Sequence, residues 1–419
     1  MTKLNELIQQ LCPDGVEYKT LGSFATISRG GDFQKKDFRD DGFPCIHYGQ
    51  IYTKYGLFVD KTVSFISPAC ASKQKTASKN DIIMAVTSEN IEDVCKCLVW
   101  LGDGEVAVSG HSAIIRHSQN PKYLAYYFHS RMFFDQKRKL AHGTKVIEVT
   151  PDKLASVKIP LPPIEVQREI VRILDNFTEL TAELTAELTA RKKQYEYYRD
   201  KLLTFDVFGE GTNRLEWKTL GESIISLSTG LNPRQFFKLN TEDAKNYYVT
   251  IREIQNGTIV FSEKTDRIND EALSLCNNRS HLEVGDVLFS GTGTIGETAI
   301  VSEVPTNWNI KEGVYAIKPK RELLNSRYLM YLLRTRYMQL AISKKVAGGT
   351  VKSIPMGDMR KLQIPVPDIT VQESIVSILD HFDALCNDLT SGLPAEIAAR
   401  QKQYEYYRDK LLTFKELGA

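Results

Sequence analysis

The chain repeats itself once, at a spacing of about 200 residues, and few folds tolerate that. Residues 191–205 read RKKQYEYYRDKLLTF and residues 400–414 read RQKQYEYYRDKLLTF, identical at fourteen of fifteen positions. Upstream, IPLPPIEVQREIVRILDNF (159–177) pairs with IPVPDITVQESIVSILDHF (364–382), and GVEYKTLG (15–22) pairs with RLEWKTLG (214–221). Each half is thus a variable stretch followed by a near-identical C-terminal segment. Short repeats of 20–50 residues stack into solenoids; a repeat this long means two fused copies of one subunit-like unit. A chain of 419 residues fits that division, since one domain takes up about 150 residues.

The near-identical segments read as long helices. The run IPLPP ends any preceding element, because proline fixes φ and disfavours helix in the residue before it. After it, Ile170, Leu174, Phe177, Leu180, Leu184, Leu188, Tyr195, Tyr198, Leu202 and Phe205 recur at spacings that form a coiled-coil-like stripe, and no Gly or Pro interrupts 164–205. At ~1.5 Å per residue the helix would span about 60 Å. Its apolar stripe needs a partner, and the copy at 369–414 is the evident one, packed antiparallel with pseudo-two-fold symmetry. The second copy carries four extra residues and the break Ser391-Gly392-Leu393-Pro394, where a kink or short loop is expected. The first helix also holds the micro-repeat TELTAELTAELTA (178–190). One Thr-Ala-Glu-Leu unit advances a helix by ~6 Å and turns it ~40° beyond a full turn. A base-pair step of B-DNA turns by ~34–36°, so the rotations nearly match.

The variable stretches, 15–158 and 214–362, read as mixed α/β domains. Strand-like runs are expected at 81–86, 106–109 with 113–116, 247–251, 286–290, 298–301 and 314–318, and one Tyr/Leu-faced helix in each at 121–140 and 324–345. Gly291-Thr-Gly-Thr-Ile-Gly296 satisfies G-x-G-x-x-G, but β-branched residues rather than a helix follow it, so a Gly-rich hairpin tip is expected instead of a nucleotide loop. The boundaries read as a first domain at 1–158, a helical spacer at 159–205, a linker at 206–218, a second domain at 219–362 and a C-terminal helical spacer at 363–419 with its break near 391–394. The fold class is α+β (mixed α/β), two globular domains separated by two long antiparallel coiled-coil helices.

Several function classes are disfavoured by what the sequence lacks. Hydrophobic residues make up 42% and charged residues 25%, which excludes disorder across the chain. No apolar run approaches the ~20 residues of a membrane span, and no apolar signal region opens the chain, so a cytoplasmic protein without membrane association is expected. The seven cysteines are scattered, and Cys95-Lys96-Cys97 has no second pair to complete a zinc site, so reduced thiols and no metal are expected. There is no Walker A pattern, no Asn/Asp-Pro-Pro-aromatic tetrapeptide of adenine-N6 methyltransferases, no G-x-S-x-G and no H-E-x-x-H. Two domains on long helices without a catalytic cluster suggest a positioning protein.

The doubled RxKQYEYYRDKLLTF ends, the paired IPxP-x-I-x-x-Q-x-x-I-V-x-I-L-D openings, the T-A-E-L units and GDVLFSGTGTIGETAIV (285–301) together resemble the specificity subunits of type I restriction-modification systems, near the subgroup with such repeats. The resemblance covers essentially the whole chain. It implies that each variable stretch is a target recognition domain reading one half of a bipartite, asymmetric site in double-stranded DNA. The helices would set the spacer and dock two modification subunits that methylate adenine. It further implies a chain without catalysis of its own or bound cofactors: S-adenosylmethionine, ATP and Mg²⁺ would sit on the modification subunits and on motor-nuclease restriction subunits. An autonomous methyltransferase or nuclease, and a duplicated helical protein-interaction adaptor without DNA readout, are the competing classes.

Base reading needs polar side chains on loops, and phosphate contacts need Lys, Arg, Ser, Thr or backbone N–H. Pairing the halves gives DNA-binding candidates: His47 and Gln50 with Thr250 and Arg252; Ser88 and Asn90 with Thr292 and Thr294; His111 and Ser112 with Lys311 and Glu312; Thr144 and Lys145 with Thr350 and Lys352. Lys73 and Lys75, with Lys35 and Lys36, are candidate phosphate contacts. Tyr195, Tyr197 and Tyr198, and their copies Tyr404, Tyr406 and Tyr407, exceed what one helical seam needs and are candidates for partner binding or for the seam itself. The net charge of +2 conceals a division. Residues 15–155 carry 19 Lys+Arg against 15 Asp+Glu and residues 214–358 carry 19 against 16, whereas 363–419 carry 5 against 9.

Overall fold

A computed structural model describes residues 2–205, 215–388 and 391–418. The chain divides into two compact units, Met1–Glu183 with Ile397–Ala419, and Leu184–Glu396. Each unit therefore takes its globular domain, the helix that leaves it, and the end of the other helical segment. The expected boundaries at 158 and 362 fall at strands that close the domains: Lys158–Pro160 pairs with Tyr18–Thr20, and Gln363–Val366 pairs with Glu216–Thr219. Of the expected linker 206–218, residues 206–214 lie outside the described residues.

In the first unit the main sheet runs Ala25–Arg29, Ser112–His117, Ile82–Ala85, Cys97–Trp100, Phe58–Val59, antiparallel except for the last pair. Ile82–Ala85 and Cys97–Trp100 are buried on both faces. Alternation divides them: Ile82, Met84, Cys97 and Val99 face one core, with the tyrosine-rich helix, while Ile83, Ala85, Leu98 and Trp100 face a second. The second unit repeats the plan with Ile224–Thr229, Val314–Pro319, Val287–Ser290 and Thr298–Ile300. Val287, Phe289, Tyr315 and Ile317 face one core there, and Leu288, Val314 and Ala316 the other. The expected strands are thus present, within one or two residues of their ends.

Each single expected helix proves to be two. Pro121–Phe128 is followed by Arg131–Leu140, and Ser326–Leu333 by Arg336–Ser343. The break has a local cause: Ser130 and Thr335 cap the second helix, their hydroxyls accepting from the N–H of Phe133 and Met338.

The long helix runs unbroken from Ile164 to Thr204. The second helical segment is Ile369–Asn387 and then Leu393–Leu411, which places the break at the expected position, although residues 389–390 lie outside the described residues. Gly392 is needed there, since a Cβ would meet the carbonyl oxygen of Ala384 at 2.6 Å. The apolar stripe is shared among several partners. Ile170 and Leu174 enter the core of the first domain, and Tyr195 and Leu203 that of the second. Phe177 stacks on Tyr407 within the first unit, at 5.5 Å between ring centres, and Tyr198 on Phe382 within the second, at 5.9 Å. In each unit the start of one helical segment thus meets the end of the other. Among the described residues, no helix is long and apolar enough to cross a membrane, and all seven cysteines are free thiols.

The junction between domain and helix is built on the same plan in both units. The buried Gln167 accepts from the Asn120 N–H and donates to the Pro162 carbonyl; Gln372 accepts from the Asn325 N–H and donates to the Pro367 and Leu323 carbonyls. The Tyr126 hydroxyl donates to Asp175 at 2.7 Å, and that of Tyr331 to Asp380 at 2.6 Å. The Tyr123 and Tyr328 hydroxyls donate to the carbonyls of Pro160 and Pro365. The glutamine of the I-x-x-Q motif thus serves backbone that would otherwise be buried unpaired. Replacing either glutamine by leucine (Gln167→Leu or Gln372→Leu) is expected to cost about 2–3 kcal/mol, read as a lower denaturant midpoint with unchanged slope.

The two units differ in their histidines. Burial, then Lys35 and His111, holds His47 down to about 4. Burial also holds His129 down to about 4, against the opposing bond to the Ala125 carbonyl, and it lowers His117. All three lie in the first unit. As the pH falls below about 6.5, the unfolded chain gains protons that the folded unit refuses until near pH 4. The stability these histidines lend is therefore full above about pH 6.5 and is lost toward pH 4. Hydrogen exchange at pH 7 and pH 5 should show the first unit losing protection ahead of the second; equal loss would contradict this account.

Candidate nucleic-acid interface

Four loops at one end of the first domain hold most of its candidate residues. The turn at 47–50 opens the helix Tyr48–Thr53 with a reciprocal cap: His47 Nδ1 accepts from the Gly49 N–H, and Gln50 Oε1 accepts from the His47 N–H. Gln50 also donates to Ser64 at 2.7 Å. Both side chains are buried, so these two candidates serve the loop's own geometry. Tyr48 leaves that turn and lies against both His47 and His111, with ring centres 4.6 and 4.9 Å away, and its N–H donates to Ser109 Oγ.

His111 is exposed, and its Nδ1 is 3.1 Å from Thr87 Oγ1. Tyr52 donates to the Thr87 carbonyl. Ser112, the other candidate on that loop, is fully buried. Asn90 is pinned at both ends of its amide by Asp93, whose carboxyl Lys96 and Asn90 hold below the usual carboxylate range. The strand Thr87–Ser88 pairs with Ile147–Glu148 and so ties the exposed strap carrying Thr144 and Lys145 to the same place. Between these loops lies a cavity of about 360 Å³, walled by Tyr48, Tyr52, Thr87, His111, Val146 and the acidic Glu89 and Asp93 with Ser88 and Asn90. Lys73 and Lys75 are exposed but do not line it; Lys35 is close enough to act on His47.

The second domain builds the same loops from different residues. Thr250 caps the turn Ile251–Glu253, and its N–H and hydroxyl both donate to the buried Glu253. The counterpart of Gln50 is therefore Glu253, not Arg252, which instead pairs with Asp266 at 2.7 Å. The glycine-rich segment is the tip of a hairpin between Val287–Ser290 and Thr298–Ile300, as expected, with Gly293 and Gly296 at positive φ. The strap 347–353 is bonded to that tip: the Gly293 N–H donates to the Lys352 carbonyl, and Thr292 bridges Ser353. Thr294, Lys311, Glu312, Thr350 and Lys352 are all exposed, and Thr292 is half-buried.

Backbone bonds correct the pairing of the halves. Ser112 lies opposite Ala85 as Val314 lies opposite Ser290, and the Val86 N–H donates to the His111 carbonyl as the Gly291 N–H donates to the Gly313 carbonyl. Thr87 therefore corresponds to Thr292 and His111 to Gly313. The sequence pairing was off by one and by two residues, because loop lengths differ where no hydrophobic period marks the register.

The repeated tyrosines separate into three roles. Tyr195 is buried, and Tyr404 is half-buried against Tyr126. Tyr198 and Tyr407 stack on the facing helical segment of their unit. Tyr197 and Tyr406 are 59% and 61% exposed, each with a lysine ammonium (Lys201, Lys410) 5.7 Å from its ring centre. The next carboxylate caps a domain helix: Asp200 accepts from the Arg336 N–H and Asp409 from the Arg131 N–H.

Comparison with known proteins places these features. The family described as "Type I restriction modification DNA specificity domain" matches the chain twice, at residues 13–191 and 216–399. The type I restriction enzyme EcoR124I/EcoR124II specificity subunit of Escherichia coli is 39% identical over 267 residues, 61% of this chain and 63% of that protein's length. A solved structure titled for complex assembly and conformational transition of the type I R-M system shares the fold at a TM-score of 0.65, with 20% identity, over 96% of this chain and 98% of that one. The HsdS subunit from Thermoanaerobacter tengcongensis does so at 0.52, with 20% identity, over 96% and 97%. With the family model matching both halves, residues 13–191 and 216–399, the chain belongs to the type I restriction-modification specificity subunits.

Proposed function

We propose that this chain reads a bipartite, asymmetric DNA target, one half-site per domain, and that its helical segments set the spacer and dock two adenine-N6 methyltransferase subunits. The observation that carries this reading is the paired loop cluster: two domains with one scaffold present different side chains, Ser88, His111 and Lys145 in one and Thr294, Lys311 and Lys352 in the other. One scaffold with two letterings is what an asymmetric site requires. The chain itself does no chemistry in this reading; S-adenosylmethionine, ATP and Mg²⁺ belong to the modification and restriction subunits.

Methylome sequencing of a host expressing this chain with its modification subunit tests the reading directly. Deleting Thr181–Leu184 should change the spacer by about one base pair while both half-sites persist, since the ~40° that one unit adds beyond a full turn nearly matches the rotation of one base-pair step. An unchanged spacer would refute the ruler. The exposed pair Tyr197 and Tyr406 supports two equivalent docking sites. Tyr197→Ala or Tyr406→Ala alone should lower the stoichiometry from two modification subunits toward one, read by native mass spectrometry, with the domains still folded.

A further inference from the structure

The correspondence between His111 and Gly313 singles out one position. In both domains a threonine, Thr87 or Thr292, stands beside it. In the first domain Thr87 Oγ1 meets His111 Nδ1 at 3.1 Å. In the second, a Cβ on Gly313 would lie 2.8 Å from Thr292 Oγ1, and Gly313 sits at φ +90°. The threonine is thus a fixed post, and the residue it faces is what differs. With Nδ1 engaged and the ring packed on Tyr48, the imidazole is held in one orientation and its Nε2 is left for a ligand.

The cavity beside it has a distinct chemistry. Glu89 and Asp93 line it, together with the aromatic walls of Tyr48 and Tyr52. Carboxylates repel a phosphate, so this cavity is poorly suited to the DNA backbone. An ionised carboxylate accepts hydrogen bonds and cannot donate. The base-edge groups that donate in the major groove are the exocyclic amines of adenine and cytosine. Asp93 is already occupied by Lys96 and Asn90, and Glu89 is exposed at the rim.

We infer that His111, oriented by Thr87, and Glu89 together read one base of the first domain's half-site, and that this base presents an exocyclic amine in the major groove, as adenine and cytosine do. Gly313 leaves the same position of the second domain without a side-chain reader, so that domain takes its specificity from the exposed Thr294, Lys311 and strap residues. Thr87 is a positioning residue that acts through His111. This inference rests on the proposed reading of half-sites and adds the position, the residues and the class of base.

The test uses the assembled methyltransferase and duplexes carrying the site found by methylome sequencing, with each base pair of the first half-site replaced in turn. His111→Ala should lose about tenfold of the discrimination at a single position, occupied by adenine or cytosine in the wild-type site. Glu89→Gln should admit guanine or thymine at that same position, because the amide adds a donor. Thr87→Val should mimic His111→Ala more weakly, and Thr87→Ser, which keeps the hydroxyl, should restore discrimination. The second half-site should be unaffected throughout. Uniform loss across all sequences with a shallower salt dependence would mean a phosphate contact and overturn the inference. So would unchanged discrimination at every position, or a critical base other than adenine or cytosine. Wild-type complex that shows no sequence preference at all would instead overturn the half-site reading itself.

Discussion

The junction between each domain and its helix depends on a buried carboxamide. Gln167 and Gln372 each face backbone groups that have no other partner, at the point where a domain hands the chain to a helix. An amide in that position has one usable orientation, since turning it would leave N–H against N–H and oxygen against oxygen. The tyrosine–aspartate bonds about two turns further on hold the helix from a second point. Two separated anchors fix a direction where one would leave a pivot. Within each unit, the helix leaves its domain at a defined angle because of polar contacts, while the leucine-rich stripe supplies burial without uniqueness.

The repeated tail shows how a helix distributes one short sequence among three tasks. Successive residues turn by about 100°, so Tyr195 and Tyr198, three apart, lie on adjoining parts of one side, while Tyr197 points away from both. The first closes a core, the third stacks on the facing helical segment of the unit, and the second is left outside. The identity of the two tails, at fourteen of fifteen positions, follows from the density of these demands. Within the two domains the halves diverge much further, because strands need only alternation to share one scaffold.

Much of this was legible in the sequence, and what escaped it has a physical reason. Duplication, the helix at 164–204, the break before Leu393 and the hairpin at Gly291–Gly296 all rest on periodicity or on Gly and Pro, which act locally. The splitting of each domain helix was missed because Ser130 and Thr335 look unremarkable until their hydroxyls are seen to cap. Gln50 and Ser112 looked like exposed loop polars, but both are buried and Gln50 is bonded to Ser64; Asn90 is exposed, and a local bond to Asp93 holds it. Thr87 was passed over in favour of its neighbour Ser88, since only the strand register tells which of two adjacent hydroxyls faces His111. The cap signature, His47 with Gln50 and Thr250 with Glu253, could have been found by looking for a reciprocal pair three residues apart.

The division of the chain into units has a consequence for its biogenesis. Leu411 and Leu412 belong to the core of the first domain, and the N–H of Val16 is bonded to the carbonyl of Lys415. A ribosome delivers those partners about four hundred residues apart. The domain made first is therefore the one completed last, and until then its unfilled core is open to chaperones and to wrong partners. The second domain's core partners on the first long helix, Tyr195 and Leu203, are already made when it emerges. Synthesis halted near residue 396 would leave the second unit whole and the first one unsealed.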